Sequence, residues 1–295
     1  VAIQQGRYLA KKLTSINPKK NIKKFKYKDK GMMATIGGFK AIGVIGKLQI
    51  SGLLAWLFWS LIHLVYLIGY KSKVIVLIEW IFAWLLSMTG NPGFSILFLA
   101  CILKVIIFPL NQIAERWQDD VNEIQSSLQP KINEIKKFFS GEEANQKIMK
   151  LYKDKNISPF YSMKSLFGFL IQIPIFIAVF DVLGESIYLM NESFLFIDDL
   201  SKPDRWVLLP IFIPFFGPSF NLLPLCMMII SMLSAFLYYD RNLSSDLLNN
   251  QKRNLYFMSL LFFVLLFTFP SGMVLYWTAS NILQVLQMQI KKALQ

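Results

Sequence analysis

Residues 96–112 read ILFLACILKVIIFPLNQ, an apolar run with one charge, Lys104, near its middle. The run approaches the ~20 apolar residues that cross a bilayer as helix. A full charge at that depth costs from about 2.5 to well over 10 kcal/mol, depending on the scale used. Such a residue persists only where it faces water, a counter-charge or a bound molecule. The chain must therefore fold so that later segments wall in a polar pocket around Lys104.

Composition agrees with a membrane setting. Of 295 residues, 55% are hydrophobic, with a mean hydropathy of +0.46, above the ~45–50% apolar share of soluble domains. The apolar runs are continuous rather than alternating, which points to spanning helices and away from a β-barrel. The net charge of +13 is uneven, because residues 1–47 hold twelve Lys/Arg against one acid, Asp29. Beside membrane segments, such a tail suits anionic headgroups or an acidic protein surface; no specific nucleic-acid recognition is expected. Cys101 and Cys226 lie inside apolar runs and read as small buried hydrophobes. With His63 the only histidine, no zinc set is expected, and HExxH, GxGxxG, P-loop and GxSxG patterns are absent. No enzyme and no cofactor are expected. The chain begins at Val1 rather than Met, so it reads as the C-terminal part of something longer.

In chain order, residues 1–47 are polar and Gly-punctuated. Leu48–Gly69 is apolar, and Trp59 and His63, four apart, share a helix face; His63 reads as a packing or interfacial histidine. Lys71–Thr89, with Glu79 inside it, reads as largely interfacial. GNPG at 90–93 breaks the chain before the Lys104 span. Asn111–Lys155 carries eight Lys/Arg and eight acids at helical spacing, broken at Ser140-Gly141, which predicts a solvated helical hairpin. Met163–Leu183 spans. Residues 184–205 are polar and acidic, and Trp206–Pro218 is Pro/Phe-rich, interfacial or re-entrant. Phe220–Tyr239, Leu255–Phe269 and Met273–Ile290 span, with a polar loop at Asp240–Asn254.

Counting only Lys/Arg, the hairpin 111–158, the 240–254 loop and the C-terminus belong inside, and the acidic loop outside. The Lys104 helix then runs outside to inside. The basic residues 1–47 are also inside, so one crossing is needed before residue 92, and Leu48–Gly69 is the expected one.

Two resemblances sharpen this. VAIQQG at 1–6, FKYKDKGMMATIG at 25–37 and SGLLAWLFWSLIHLVYLIG at 51–69 resemble the C-terminal portion of type II NADH dehydrogenases over about residues 1–85. That resemblance implies a flavin- and quinone-adjacent piece, its Gln pair at Gln4 and Gln5, and a membrane-binding tail. The dinucleotide-binding units lie upstream in that family, so no FAD or NADH binding is expected here. From about residue 80 the chain resembles the YidC/Oxa/Alb membrane protein insertases, through GNPGFSILFLACILKVIIFP (90–109), LQPK (128–131), LYKDKNISP (151–159), LIQIPIF (170–176), FPSGMVLY (269–276) and Ser280-Asn281.

The insertase resemblance implies an all-α polytopic membrane protein with a five-helix core, a cytoplasmic hairpin and a groove carrying a positive charge, normally arginine. Here Lys104 stands in that place. It supplies the charge but not a planar five-donor fork, and lysine loses its proton more readily than arginine when desolvated. Expected groove residues are Lys104, Gln172, Trp277, Ser280 and Asn281, with Ser231, Ser234 and Thr278 behind them; each polar one is otherwise interhelical glue. For Lys104 the bland alternative is a buried pair with an acid, or snorkelling. The expected domains are 1–47 basic and dehydrogenase-tail-like, 48–90 a junction of spanning or interfacial helices, and 91–295 the insertase core. The expected partners are nascent membrane proteins and the lipid bilayer, with a ribosome and a Sec-type translocon as candidates, in a bacterial inner membrane. Two other readings remain. One is a transporter or channel using Lys104 as an anion site, which would favour paired broken helices and repeats, and none are visible. The other is the membrane-anchoring module of a type II NADH dehydrogenase fused to an insertase-like domain.

Overall fold

A single helix, α4 (Pro92–Phe138), carries Lys104 and sets the frame for the larger part of the molecule. The Asn91 side chain caps it, accepting from the Phe94 amide at 3.2 Å, and Pro92 takes the first turn, where a missing N–H costs nothing. The helix does not stop at Pro109. It continues through Pro109 and Pro130 for 47 residues, about 70 Å. Pro109 only leaves the Val105 carbonyl without its helical donor.

The computed structural model describes residues 2–13, 24–29, 31–66, 70–214 and 216–294. Two units separate, Val1–Ile68 and Gly69–Gln295.

In the first unit, helix α1 (Ala2–Leu13) is followed by a three-stranded antiparallel meander: β1 (Met32–Gly37), β2 (Lys40–Ile45) and β3 (Leu48–Ser51), then helix α2 (Gly52–Tyr66). Its turns use Gly37 and Gly38, and then Gly46, at positive φ. The meander corrects the reading of this stretch as merely Gly-punctuated. Its period-2 signal is inverted. The buried face is Ala41 and Gly43, packed under α2, while Ile42 and Val44 face out. Phe39 and Trp56 meet edge-on at 5.0 Å, and Trp59 stacks on His63 at 4.9 Å. The Gln4 amide bonds both backbone groups of Lys28, at 2.8 and 3.0 Å, a structural engagement for that half of the Gln pair.

The second unit is helical: α3 (Tyr70–Thr89), α4, α5 (Gly141–Asp154), α6 (Met163–Gly184), α7 (Leu222–Leu237), α8 (Ser245–Leu266) and α9 (Ser271–Leu294). The mainly helical expectation holds. The hairpin break at Ser140 falls where expected, between α4 and α5. The α7–α8 loop is shorter than the sequence suggested, since helix resumes at Ser245. By length and hydropathy Lys71–Thr89 is a candidate span, and among the described residues Gly52–Leu64 is an apolar helical stretch as well. Lys71–Thr89 also packs on α4 and α6 through Ile78, Phe82 and Leu85. Glu79, near the middle of α3, lies on its exposed side, which suits water or headgroups rather than lipid.

Helix α9 is the centre of the bundle, packed on α4, α6 and α7, with α8 against α7. The end bearing Pro92 is sealed. Ser271 and Gly272 amides donate to the carbonyls of Lys202 and Leu200, both at 2.8 Å. Asn221 donates to the Phe267 carbonyl at 2.6 Å and accepts from the Arg205 amide at 3.0 Å. Asp204, 5% exposed, accepts from the Leu222 and Leu223 amides at 2.7 and 2.9 Å, capping α7 with a negative charge at its positive end. Burial alone would raise the Asp199 carboxyl. Its bonds with Lys202, the Ser201 side chain and the Ser201 and Asn191 amides instead hold it well below the usual carboxylate range. Gly93 belongs to this seal, because a Cβ there would lie 2.1 Å from the Phe194 ring. Residues 207–220, read as interfacial or re-entrant, form a β-hairpin: β4 (Val207–Ile213) and β5 (Gly217–Phe220). Three prolines in that run masked the strand signal.

Candidate functional site

Lys104 lies twelve residues into α4, about 18 Å from the sealed end. One α4 face presents Lys104, Ile107 and Asn111 to a cavity of about 480 Å³. Helix α6 lines it with Gln172 and Phe176, α8 with Phe262, and α9 with Tyr276, Trp277, Ser280 and Asn281. Helices α6 and α8 flank the cavity without packing extensively on each other. All five residues expected at the groove, Lys104, Gln172, Trp277, Ser280 and Asn281, therefore meet in one space. Their helical positions explain it: Trp277, Ser280 and Asn281 follow each other at three and four residues on α9, hence on one face.

The polar atoms are arranged against apolar walls. Lys104 Nζ donates to Gln284 Oε1, one turn beyond Asn281. Lys104 has no ion pair among the described residues; the nearby Glu115 is paired with Lys291. The buried-acid alternative is therefore not what forms. A lysine has three donors, and a neutral amide takes one. Asn281 donates to Ser231 at 2.7 Å, and Ser231 to the Met227 carbonyl at 2.9 Å, tying α9 to α7. Thr278 bonds its own helix, at the Val274 carbonyl, 2.7 Å away. Ser231, Ser234 and Thr278, the other groove candidates, are not among the cavity residues.

Trp277 forms part of the cavity wall and bridges rings from α6 and α8. Its ring meets Phe176 edge-on at 4.7 Å, and lies 4.7 Å from Phe262 and 6.1 Å from Phe180. Sequence reasoning missed Asn111, Tyr276 and Gln284. The first was findable, being seven residues and nearly two full turns from Lys104. Gln284 was hidden among several glutamines at the chain end, and only its register on α9 distinguishes it.

Beyond the opposite end, a charged cluster braces α4 against α7 and α9. Lys291 pairs with Glu115, and Asn122 donates to Asp240 at 2.5 Å. Burial, and then the Asp240 and Glu115 carboxylates, raise the Asp119 carboxyl against the pull of Lys291. Ser126 donates to the Asn242 carbonyl at 2.6 Å, fastening the base of the hairpin to the α7–α8 loop.

Residues 84–295 match a family profile described as 60Kd inner membrane protein. Two curated relatives, each named membrane protein insertase YidC, illustrate the range. One, from Leptospira interrogans serovar Lai, is 34% identical over 224 residues, 74% of this chain and 34% of the relative. The other, from Buchnera aphidicola subsp. Schizaphis graminum, is 34% identical over 204 residues, 68% of this chain and 33% of the relative. The chain thus spans about a third of the length of these relatives. A crystal structure of an active YidC insertase with its first transmembrane domain resolved aligns with TM-score 0.49 and 22% identity. That alignment covers 85% of this chain and 57% of the other. Residues 1–83 lie outside the family match.

Proposed function

The chain belongs to the 60Kd inner membrane protein family, the YidC/Oxa/Alb family of the sequence resemblance, and we propose that it is a membrane protein insertase and chaperone. The observation that carries this reading is the cavity around Lys104, twelve residues into α4, with polar groups set in apolar walls and flanked by α6 and α8, which pack little on each other. An incoming segment must bring a short polar flank across the bilayer. With the pocket reaching Lys104, the apolar barrier left to cross falls to about 18 Å of the ~30 Å hydrocarbon core. A lysine held only by an amide offers its remaining N–H donors to an acidic or polar flank. The segment's apolar part then leaves between α6 and α8 into lipid. No covalent step or nucleotide is required.

In this reading the hairpin of α4 and α5, the α7–α8 loop and the C-terminus face the cytoplasm of a cell with this protein in its inner membrane. The sealed end faces outward, and nascent membrane proteins are the clients. A ribosome and a Sec-type translocon are proposed partners on the cytoplasmic and lateral sides. For residues 1–68 we propose a dehydrogenase-tail-like membrane-associated unit without redox chemistry of its own.

The test is photo-crosslinking from position 104 to nascent membrane proteins, with depletion of the protein lowering their insertion. Lys104→Ala should weaken insertion. If Lys104→Glu supports insertion as well as the parent chain, the charged-groove mechanism is wrong.

A further inference from the structure

The β4–β5 hairpin carries an apolar surface that is exposed among the described residues. Leu208, Ile211 and Phe212 are 74, 70 and 69% exposed. Among the described residues its ring contacts all reach the end of α8. Phe216 meets Phe267 edge-on at 4.6 Å, and Phe220 lies 6.4 Å from the same ring, which fastens β5 to the end of α8. The β4 strand is left facing away. A water-exposed strand of this composition is an aggregation hazard, so its surroundings need an account.

Three observations converge. First, residues 206–239 contain no Asp, Glu, Lys or Arg, and this uncharged run joins the hairpin directly to α7. Second, α7 has only 16 residues, about 24 Å against a ~30 Å hydrocarbon core. Its outward stripe of Ile229, Leu233 and Phe236 is exposed and apolar, so the lipid-facing surface of α7 stops short on the side where the hairpin begins. Third, Pro210, Pro214 and Pro218 fall within the fourteen residues from β4 to β5. Each removes an N–H donor. Fewer unpaired donors make the backbone cheaper to place next to lipid, and they also hinder edge pairing with a second chain. Just before β4, exposed Arg205 and Trp206 give the cation and indole typical of a headgroup boundary.

We propose that the β4–β5 hairpin is a lipid-contacting wedge, seated at the headgroup–acyl boundary beside the sealed end and extending the short lipid face of α7. Its depth is shallow, because a hairpin has open edges that hydrocarbon does not tolerate. The wedge does not depend on the insertase reading, since it needs only the membrane setting.

The experiment uses the full chain with Cys101 and Cys226 changed to Ser. A single Leu208→Cys or Phe212→Cys is labelled with the fluorophore NBD, and the protein is reconstituted in phosphatidylethanolamine/phosphatidylglycerol vesicles. Leu233→Cys on α7 is the lipid-facing reference. Emission at 208 and 212 should be blue-shifted towards that reference. Quenching there should be about twofold stronger from nitroxides placed shallow in the acyl chain than from deep ones, and weak from aqueous iodide. Ile211→Asp should reverse the blue shift at 208 while circular dichroism keeps the parent helix content. Iodide quenching at 208 and 212 equal to that of free dye overturns the proposal. So does a blue shift that appears only in native membranes without nitroxide quenching, which would mean that a protein covers the hairpin.

Discussion

Replacing Lys104 by methionine separates a lysine kept for function from one kept for structure. In the fold, Lys104 has one hydrogen bond, to a neutral amide, and no ion pair among the described residues. A hydrogen bond to a charged group contributes about 1.5–3 kcal/mol. Against this, lysine near a helix centre costs about 2.5–3.5 kcal/mol on the insertion scale. The balance is about 1 kcal/mol against the charge, and methionine fills the stem's volume with a flexible apolar chain. Lys104→Met should therefore stabilise the purified protein by about 1 kcal/mol, a rise in melting temperature of about 2–4 °C for a body of this size. Insertion of a small two-span client into vesicles should fall several-fold in the same preparation. Gln284→Leu should destabilise the parent by about 1.5–3 kcal/mol and cost far less in the Lys104→Met background. A Lys104→Met protein more than about 2 kcal/mol less stable would refute the reasoning, because the lysine would then be a structural anchor. Unchanged insertion would refute the role of the charge.

Other predictions follow from single contacts. Asp204→Ala leaves the first amides of α7 unpaired in a buried setting and should cost about 2–3 kcal/mol in thermal unfolding, with Asp204→Asn milder. Trp277→Ala removes the hub of the ring cluster and should cost about 3–5 kcal/mol, whereas Trp277→Phe retains most of it. The Asp119 carboxyl is raised in the fold, so folding favours its proton, and stability is lost as pH rises through that raised range. Asp119→Asn should then melt higher than the parent at neutral pH, and the gap should close as pH falls below the ordinary aspartate value of about 3.9. Equal melting at neutral pH would remove that coupling.

The site was more legible than the fold around it. Lys104 announced itself because a charge inside an apolar run has no inexpensive place to sit. Its companions Gln172, Ser280 and Asn281 are polar residues inside spans, a pattern that any chain can reveal. The strands were illegible for opposite reasons. In β2 the helix-facing side is Ala41 and Gly43, so the apolar alternation points the wrong way. In β4 and β5 the prolines argued against any strand. Between Leu48–Gly69 and Lys71–Thr89 as a span, Glu79 is the residue that matters, because an exposed acid in mid-helix is expensive against lipid.

By itself the sequence determined that this is a helical membrane protein, that its charge must be housed in a polar pocket, and which polar residues were candidates to house it. Hydropathy and desolvation act on each residue locally, so they can be read along a line. Only the tertiary structure decided that Lys104 is held by Gln284 rather than by an acid, that Trp277 joins Phe176 and Phe262 in one ring cluster, and that α6 and α8 flank the cavity without packing extensively on each other. Those outcomes join residues as many as 180 positions apart, and they depend on helix register and crossing, which local preference does not encode.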